Sequence, residues 1–497
     1  MHSLIFDQVS FGYADEILSH VSFTCSPGWT ALVGGNGAGK TTLLGLAAGT
    51  LAPVRGTIRR THLVTVATVA QRVDEPDPAI AELAASYDHA ALRWKARLRL
   101  GDDDLERWPT LSPGERKRWQ LAAALAGEPD LLLVDEPSNH LDAGALALAS
   151  EVLAGYGGVG LLVSHDRALL DRLATQTLQL EAGCVRAWAG NYTVARTAWE
   201  AEQASRRAQR EQLAGERRRA ERYLADSRRR EASANRATAT SARMRNANDS
   251  DAKTISANNL ANWAAANAGR QVQRAHTRVS AARDAESAIT VGRERGAAIA
   301  FAGELAARRW VVQLELPELR AGDHVLARDV RIAVGRDERI WLRGDNGAGK
   351  TTLLTTVLAR CTLPPERVFA LPQDLSLDAS SELADELRAL DRASRGRLGQ
   401  LVDALGIDPE RALASTAPSP GETRKLALAL GLVRAPQLIV LDEPTNHLAI
   451  DSIERLEAAL TDYPGALIVV SHDARFASAV TATSWTLAGG RLTSARS

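Results

Sequence analysis

An α/β chain holding two copies of one domain, joined by a long α-helical hairpin, is the fold this sequence predicts. Three observations predict it. Four motifs recur in the same order, short apolar runs precede those motifs in each copy, and the stretch between the copies turns Ala-, Arg- and Asn-rich. A length of 497 residues suits about three or four compact units better than one core.

The repeat comes first. Gly35-Asn-Gly-Ala-Gly-Lys-Thr-Thr-Leu-Leu is answered about 310 residues later by Asp345-Asn-Gly-Ala-Gly-Lys-Thr-Thr-Leu-Leu. Ser112-Pro-Gly-Glu recurs at Ser419, Asp135-Glu-Pro-Ser-Asn-His recurs as Asp442-Glu-Pro-Thr-Asn-His, and Val163-Ser-His-Asp recurs at Val470. Chance does not preserve four blocks in one order, so the domain is duplicated. In each copy an apolar run precedes the glycine-rich loop (Ala31-Leu-Val, Ile340-Trp-Leu). Another precedes Asp135 or Asp442, and a third precedes His165 or His472. Such runs suit strands buried on both faces of a mostly parallel sheet.

Between the copies, Asn191 to Arg309 carries 23 basic against 13 acidic residues. Thr193 to Glu231 has no proline and one glycine, Gly215, which predicts a helix of roughly 39 residues and about 58 Å. A second helix is expected from about Ile255 to Ala288. The Ser-, Thr- and Asn-rich stretch between them, from Ala232 to Asp251 and including Met244, reads as the turn of the hairpin. The chain thus divides into 1–190, a linker 191–308 with its tip at about 232–256, and 309–497. A solvated surface linker is the other reading of this charge pattern.

Composition narrows the setting. The 60 basic residues cancel the 60 acidic ones, so any anionic partner must be met by local charge, which the linker supplies. Cys25, Cys184 and Cys361 are odd in number and widely spaced, supporting neither a disulfide framework nor a zinc site. No run approaches the ~20 apolar residues a membrane helix needs, and the first residues lack a secretory pattern. A cytoplasmic protein is expected.

Gly34-Gly35-Asn36-Gly37-Ala38-Gly39-Lys40-Thr41 and Gly344-Asp345-Asn346-Gly347-Ala348-Gly349-Lys350-Thr351 both fit G-x-x-x-x-G-K-[ST]. Each follows a predicted strand and opens a helical pattern at Thr42 or Thr352. Glycines let backbone N–H groups converge on phosphate oxygens, the lysine reaches the β/γ-phosphates, and the threonine hydroxyl coordinates Mg²⁺. Both loops keep a lysine in a chain with only six, against 54 arginines. Asp135 and Asp442 end apolar strands, where an aspartate binds Mg²⁺. Glu136 and Glu443 beside them are placed to polarise an attacking water, and His165 and His472 are placed to meet the γ-phosphate. A lone histidine after a strand is more often structural; its recurrence beside the other motifs reverses that.

These loops, together with Gln71 and Gln373, the Ser-Pro-Gly-Glu signatures, Asp-Glu-Pro and Ser-His-Asp, resemble the ATP-binding cassette ATPases, twice over. The resemblance covers most of each half. It implies two P-loop NTPase domains facing head to tail as an intramolecular pair, with ATP and Mg²⁺ bound between them. One site would join Lys40, Thr41, Gln71, Asp135, Glu136 and His165 to Ser419 and Gly421. The other would join Lys350, Thr351, Gln373, Asp442, Glu443 and His472 to Ser112 and Gly114. Gln71 and Gln373 would add metal ligands, and Tyr13 lies where the family stacks an aromatic on adenine.

Two cassettes without a predicted membrane span, separated by a long charged helical segment, are similar to the ABC-F subfamily. Its members mostly act on ribosomes; the linker enters the tRNA exit site near the peptidyl-site tRNA and the peptidyl-transferase centre, and some members dislodge antibiotics. The short interval from Gln71 to Ser112 leaves no room for the extra arm of some housekeeping members, which favours the antibiotic-resistance branch. Apart from the resemblance, arginines along an extended helix suit phosphates and bases. The candidates are Arg206, Arg207, Arg210, Arg217, Arg218, Arg219, Arg228, Arg229, Arg230, Arg243 and Arg245.

Several residues depart from the family pattern. No aromatic lies near His324, so adenine stacking is not expected in the second site. Ala449 stands where the first copy has Asp142, and Pro418 stands where it has Leu111. Two hydrolytic sites, unequal in strength, remain the expectation. Rival functions are the energy module of a membrane transporter and a DNA-associated ATPase.

Overall fold

The computed structural model describes residues 2–62, 65–138, 141–238, 255–289, 305–373, 386–387, 389–407, 420–446 and 448–496. The chain divides into two compact units, Met1–Ala195 with Arg295–Ser497, and Arg196–Glu294.

The first unit holds both copies, and their main sheets repeat strand for strand. In the first copy the spatial order is Val66–Val69, Leu131–Asp135, Val159–Val163, Gly28–Gly34, Ala174–Glu181 and Cys184–Ala189. In the second it is Val368–Leu371, Leu438–Asp442, Ala466–Val470, Arg339–Arg343, Thr483–Ala488 and Arg491–Arg496. In each sheet the first five strands pair in parallel and the last antiparallel. The central strands Leu131–Asp135, Val159–Val163, Leu438–Asp442 and Ala466–Val470 are buried along their whole length. That explains why they read as continuous apolar runs rather than as alternation. The duplicated α/β fold is therefore present, with the phosphate loop, the aspartate and the histidine of each copy following the C-terminal ends of neighbouring strands. Ligands of open parallel sheets bind at that edge.

The copies differ in their accessory sheets. Ser3–Gly12 pairs on both sides, with Glu16–Cys25 and with Arg55–Thr61. In the second copy Trp310–Ala321 and His324–Gly335 form a two-stranded ladder, with one further bridge from Val312 to Cys361.

The second unit is helical. One helix spans Tyr192–Thr238 and another Ile255–Ser287. Leu224 packs with Ala275 and Val279, while Arg217 pairs with Glu286 at 2.8 Å and Arg283 with Glu221 at 3.0 Å. Rising numbers on one helix meet falling numbers on the other, so the two helices are antiparallel. The first helix runs past Ala232, the expected start of the turn. Residues 232–238 contain no glycine or proline and include three alanines, so the Ser and Asn among them yield to helix propagation. The rest of the expected tip, including Arg243, Met244 and Arg245, lies outside the described residues. Among the described residues, no helix is long and apolar enough to cross a membrane.

Candidate functional site

Each site is built around a loop that only glycine can make. Gly39 and Gly349 cap the helices Lys40–Ala48 and Lys350–Ala359 at φ 102° and 98°. A Cβ at Gly39 would lie 2.7 Å from Ile17 Cγ2, and one at Gly349 would lie 2.6 Å from Leu326 Cδ1. The lysines curl back over their own loops. Lys40 Nζ donates to Gly34 O (2.9 Å) and Gly35 O (3.0 Å), and Lys350 Nζ to Gly344 O (2.7 Å) and Asp345 O (3.0 Å). Burial lowers both ammonium pKa values, opposed by Glu136 and Asp135 in one site and by Glu443 and Asp442 in the other. The remaining loop residues, Asn36, Gly37 and Ala38 with Thr42, and Asn346, Gly347 and Ala348 with Thr352, follow the same strand-to-helix turn.

Thr41 Oγ1 donates to Asp135 Oδ2 at 3.1 Å, and Thr351 Oγ1 to Asp442 Oδ2 at 3.2 Å. A hydroxyl and a carboxylate beside a phosphate loop form the donor set by which proteins hold Mg²⁺ jointly with substrate phosphates. No group of three or more His, Cys, Asp or Glu forms an independent metal cluster among the described residues. The Thr41–Asp135 and Thr351–Asp442 pairs fit a magnesium ion shared with nucleotide phosphates. The side chains of Gln71 and Gln373 are exposed on the segments after the edge strands.

Glu136 and Glu443 are the most constrained residues of the two sites. Both adopt left-handed backbone, φ 48° and 50°, which costs a non-glycine residue about 1–3 kcal/mol. Their amides are held by Val163 O (2.8 Å) and Val470 O (2.9 Å) of the neighbouring strands. Oε2 of each accepts the backbone N–H of His165 or His472 at 3.2 Å. Oε1 of each lies 3.2 or 3.3 Å from the same histidine's Nε2, is buried, and accepts no hydrogen bond from the described residues. Burial, the largest effect, raises Glu136 to about 7 and Glu443 to about 8. For His472, burial lowers the imidazole pKa and Lys350 lowers it further, against the pull of Asp142. A strained, buried carboxylate whose Oε1 faces a histidine Nε2, beside a phosphate loop, can accept a proton or orient water near neutral pH.

The signature serine of the first copy is a helix N-cap. Ser112 Oγ accepts from Glu115 N, while Ser112 N and Oγ both donate to the Glu115 carboxylate, ahead of helix Pro113–Ala126. Gly114 is buried in that first turn. Ser419 lies outside the described residues, whereas Gly421 lies in the matching helix Pro420–Val433. That second helix lies near the first copy's site. Burial, opposed by Glu422, and the positive charge of Lys40 together bring Lys425 to about 8. In the reciprocal direction, the charge of Asp142 reaches Lys350 and His472.

Two buried cations were missed in the sequence. Lys117 Nζ donates to the backbone carbonyls of Ala70 and Gln71. At the matching position Arg424 donates to the carbonyls of Pro372, Gln373, Asp442 and Glu443. Each signature helix thereby grips the segment of its own copy that carries the glutamine. The signal was available: four of the six lysines, Lys40, Lys117, Lys350 and Lys425, fall on phosphate loops or signature helices.

Tyr13 is 73% exposed and rests edge-on against Phe11 at 5.2 Å. The corresponding turn, between Ala321 and His324, carries no aromatic. Of the linker candidates, Arg206 pairs with Glu202 at 2.7 Å and Arg217 is half-buried against Glu286. Arg218, Arg219, Arg228, Arg229 and Arg230 are exposed.

A strand-ended phosphate loop with a Thr–Asp pair and a glutamate–histidine pair, present twice on matching sheets, defines a tandem ATP-binding cassette chain. Residues 18–139 and 327–446 match the family model described as "ABC transporter". The chain is similar to the tylosin resistance ATP-binding protein TlrC of Streptomyces fradiae, at 30% identity over 97% of each chain. It is also similar to the ribosome protection protein VmlR of Bacillus subtilis (strain 168), at 29% identity over 94% of this chain and 83% of the relative. A solved structure of the archaeal ribosome recycling factor aABCE1, in complex with the stalk protein aP1, shares the fold. It has a TM-score of 0.62 at 18% identity, over 98% of this chain and 89% of that one. The chain belongs to the ABC-F family of ATP-binding cassette proteins.

Proposed function

We propose that this chain hydrolyses ATP at two sites between its cassettes and uses that cycle to bind and leave the ribosome, protecting it from an antibiotic through the linker. Its domains are 1–190, 191–308 and 309–497, and it works in the cytoplasm as a monomer with paired cassettes. The observation that carries the chemistry is the buried Oε1 of Glu136 and Glu443, which faces a histidine and accepts no hydrogen bond from the described residues. The partner is supported by the exposed arginines of an antiparallel hairpin, which suit RNA phosphates, and by two relatives named for ribosome protection and tylosin resistance.

In this reading Lys40 leaves its two carbonyls for the β/γ-phosphates, and Thr41 and Asp135 hold the metal with Gln71. Magnesium supplies charge neutralisation on the transferred phosphoryl group. Glu136 orients the water and takes its proton near neutral pH, with His165 directed to the γ-phosphate. Lys350, Thr351, Asp442, Gln373, Glu443 and His472 repeat these roles. Gly421 with Ser419 completes the first site and Ser112 with Gly114 the second. Tyr13 stacks on adenine in the first site alone. Arg218, Arg219, Arg228, Arg229 and Arg230, with Arg243 and Arg245 near the tip, meet rRNA and the peptidyl-site tRNA.

Ribosome co-sedimentation of the Glu136→Gln, Glu443→Gln protein tests this. Pelleting with ATP but not ADP is expected, because the nucleotide would stay unhydrolysed. Absence of pelleting with either nucleotide would reject the ribosome as partner and turn the search to membrane subunits or duplex DNA.

A further inference from the structure

The histidine loops of the two copies meet on the same interface, and only the first is followed directly by a buried cation. Asp166 and Asp473 directly follow His165 and His472, and each caps a short helix, accepting Leu169 N at 3.0 Å or Phe476 N at 2.9 Å. Their amides are held alike, by Ser164 Oγ at 3.0 Å and Ser471 Oγ at 3.1 Å. The two carboxylates lie near enough that Asp473 adds to the burial that raises the Asp166 pKa. The next residue breaks the symmetry: it is Arg167 in the first copy and Ala474 in the second.

Arg167 is 1% exposed, an unusual burial for arginine. Its Nη2 reaches Glu457 Oε2 at 2.6 Å and lies 3.7 Å from Asp473 Oδ2, and Glu454 adds to its favourable field. Around it the same two faces touch again. Tyr192 Oη donates to Glu454 Oε1 at 3.1 Å, and Arg475 lies 3.7 Å from Asp171. A buried ion pair is poor evidence of stabilisation, since a well-packed apolar replacement often does as well. Its geometry is better evidence of register. One planar guanidinium joins the residue beside the first copy's histidine loop to the residue beside the second's.

We propose that Arg167 is a positioning residue that ties the two histidine loops together, so that filling one nucleotide site alters the other. The proposal rests on the two-site reading above. Because Ala474 supplies no arginine at the matching position, Arg167 is the buried cation of this contact, set beside the more exposed Arg475–Asp171 pair, and removing it weakens coupling in both directions, as reciprocity of coupling requires.

The test uses the full-length Glu136→Gln, Glu443→Gln protein and calorimetric titration with Mg²⁺-ATP, which reads the two stepwise affinities. With Arg167 present, the ratio of those affinities should depart by about 10-fold from the value expected of the two sites measured one at a time, in Lys40→Ala and Lys350→Ala backgrounds, within the usual range of coupling. Arg167→Met should return it toward independence, and Arg167→Lys should keep part of it. Adding Asp473→Asn to Arg167→Met removes the repulsion while retaining the helix cap. This double variant should recover thermal stability without recovering coupling, which separates positioning from mere stabilisation. An unchanged ratio in Arg167→Met, or a ratio restored together with stability in the double variant, would overturn the proposal. Hydrolysis is measured separately, on the protein with both glutamates intact. Arg167-dependent coupling in a protein that fails to hydrolyse ATP would reject the proposed function and leave this inference standing. Hydrolysis with Arg167-independent binding would do the reverse.

Discussion

The two cassettes repeat the groups proposed to meet phosphate and differ in several of the residues packed around them. Lys40 and Lys350 bend onto matching carbonyls, Thr41 and Thr351 meet matching aspartates, and Glu136 and Glu443 carry the same strained backbone. Around them Lys117 is answered by Arg424, Asp142 by Ala449, Arg167 by Ala474, and Tyr13 by a bare turn. Phosphate and magnesium demand one geometry and tolerate no drift. The shell that positions them can be built from different contacts, and those contacts are where the two sites are expected to differ.

Removing the shared part should have the largest effect. Glu136→Gln with Glu443→Gln should lower ATP turnover by at least about 100-fold, the range for loss of a general base. Each single variant, assayed for steady-state phosphate release, should retain the other site's share and so measure the inequality directly. Retention of parental turnover by the double variant would remove both glutamates from the mechanism.

The same glutamates make an apo-state stability prediction. Their folded pKa values are raised above 4.5, to about 7 and about 8, so the native state holds protons that the unfolded chain releases. Stability contributed by the neutral forms is full below about pH 4.5 and is lost as pH rises through 7 and 8. Without nucleotide or metal, Glu136→Gln should be more stable than the parent at pH 8 by on the order of 3 kcal/mol. Glu443→Gln should gain more, because its displacement is larger. Denaturant midpoints at pH 5 and pH 8 check both, and an equal gain at the two pH values would mean burial is not the cause.

Two smaller tests address the divergent shell. Loss of an aromatic stack worth about 1 kcal/mol should weaken ATP binding roughly 5-fold in Tyr13→Ala, read in the Glu136→Gln background. His324→Ala, in the Glu443→Gln background, should leave affinity unchanged. At the helix starts, Asp142 Oδ1 accepts Ala145 N at 2.7 Å, whereas Ala449 offers no side-chain cap. Asp142→Ala should cost about 1 kcal/mol and Ala449→Asp should return a similar amount, by urea unfolding. A neutral Asp142→Ala would show that the cap does not stabilise its helix.

Much of this was legible in the chain because its causes are local. A glycine at φ near 100° and a fully buried strand each leave a mark in a few consecutive residues, so the phosphate loops and strand-end carboxylates could be named from order alone. The hairpin was legible from proline-free, arginine-rich composition, although the first helix ran past the expected turn because nothing in 232–238 stops it. Lys117 and Arg424 were not read, since their partners are carbonyls 18 to 52 residues away and a backbone acceptor leaves no residue type to recognise.

The sequence by itself determined the duplication, the phosphate chemistry and the helical linker, because each depends on residue type at fixed short spacing. Only the tertiary structure decided that Glu136 and Glu443 would be buried with one oxygen facing a histidine Nε2 and accepting no hydrogen bond from the described residues, that Arg217 would turn to Glu286 rather than outward, and that Arg167 would cross from one copy to the other. Those outcomes depend on which faces pack together, and packing brings together residues as much as 290 positions apart that no local pattern connects.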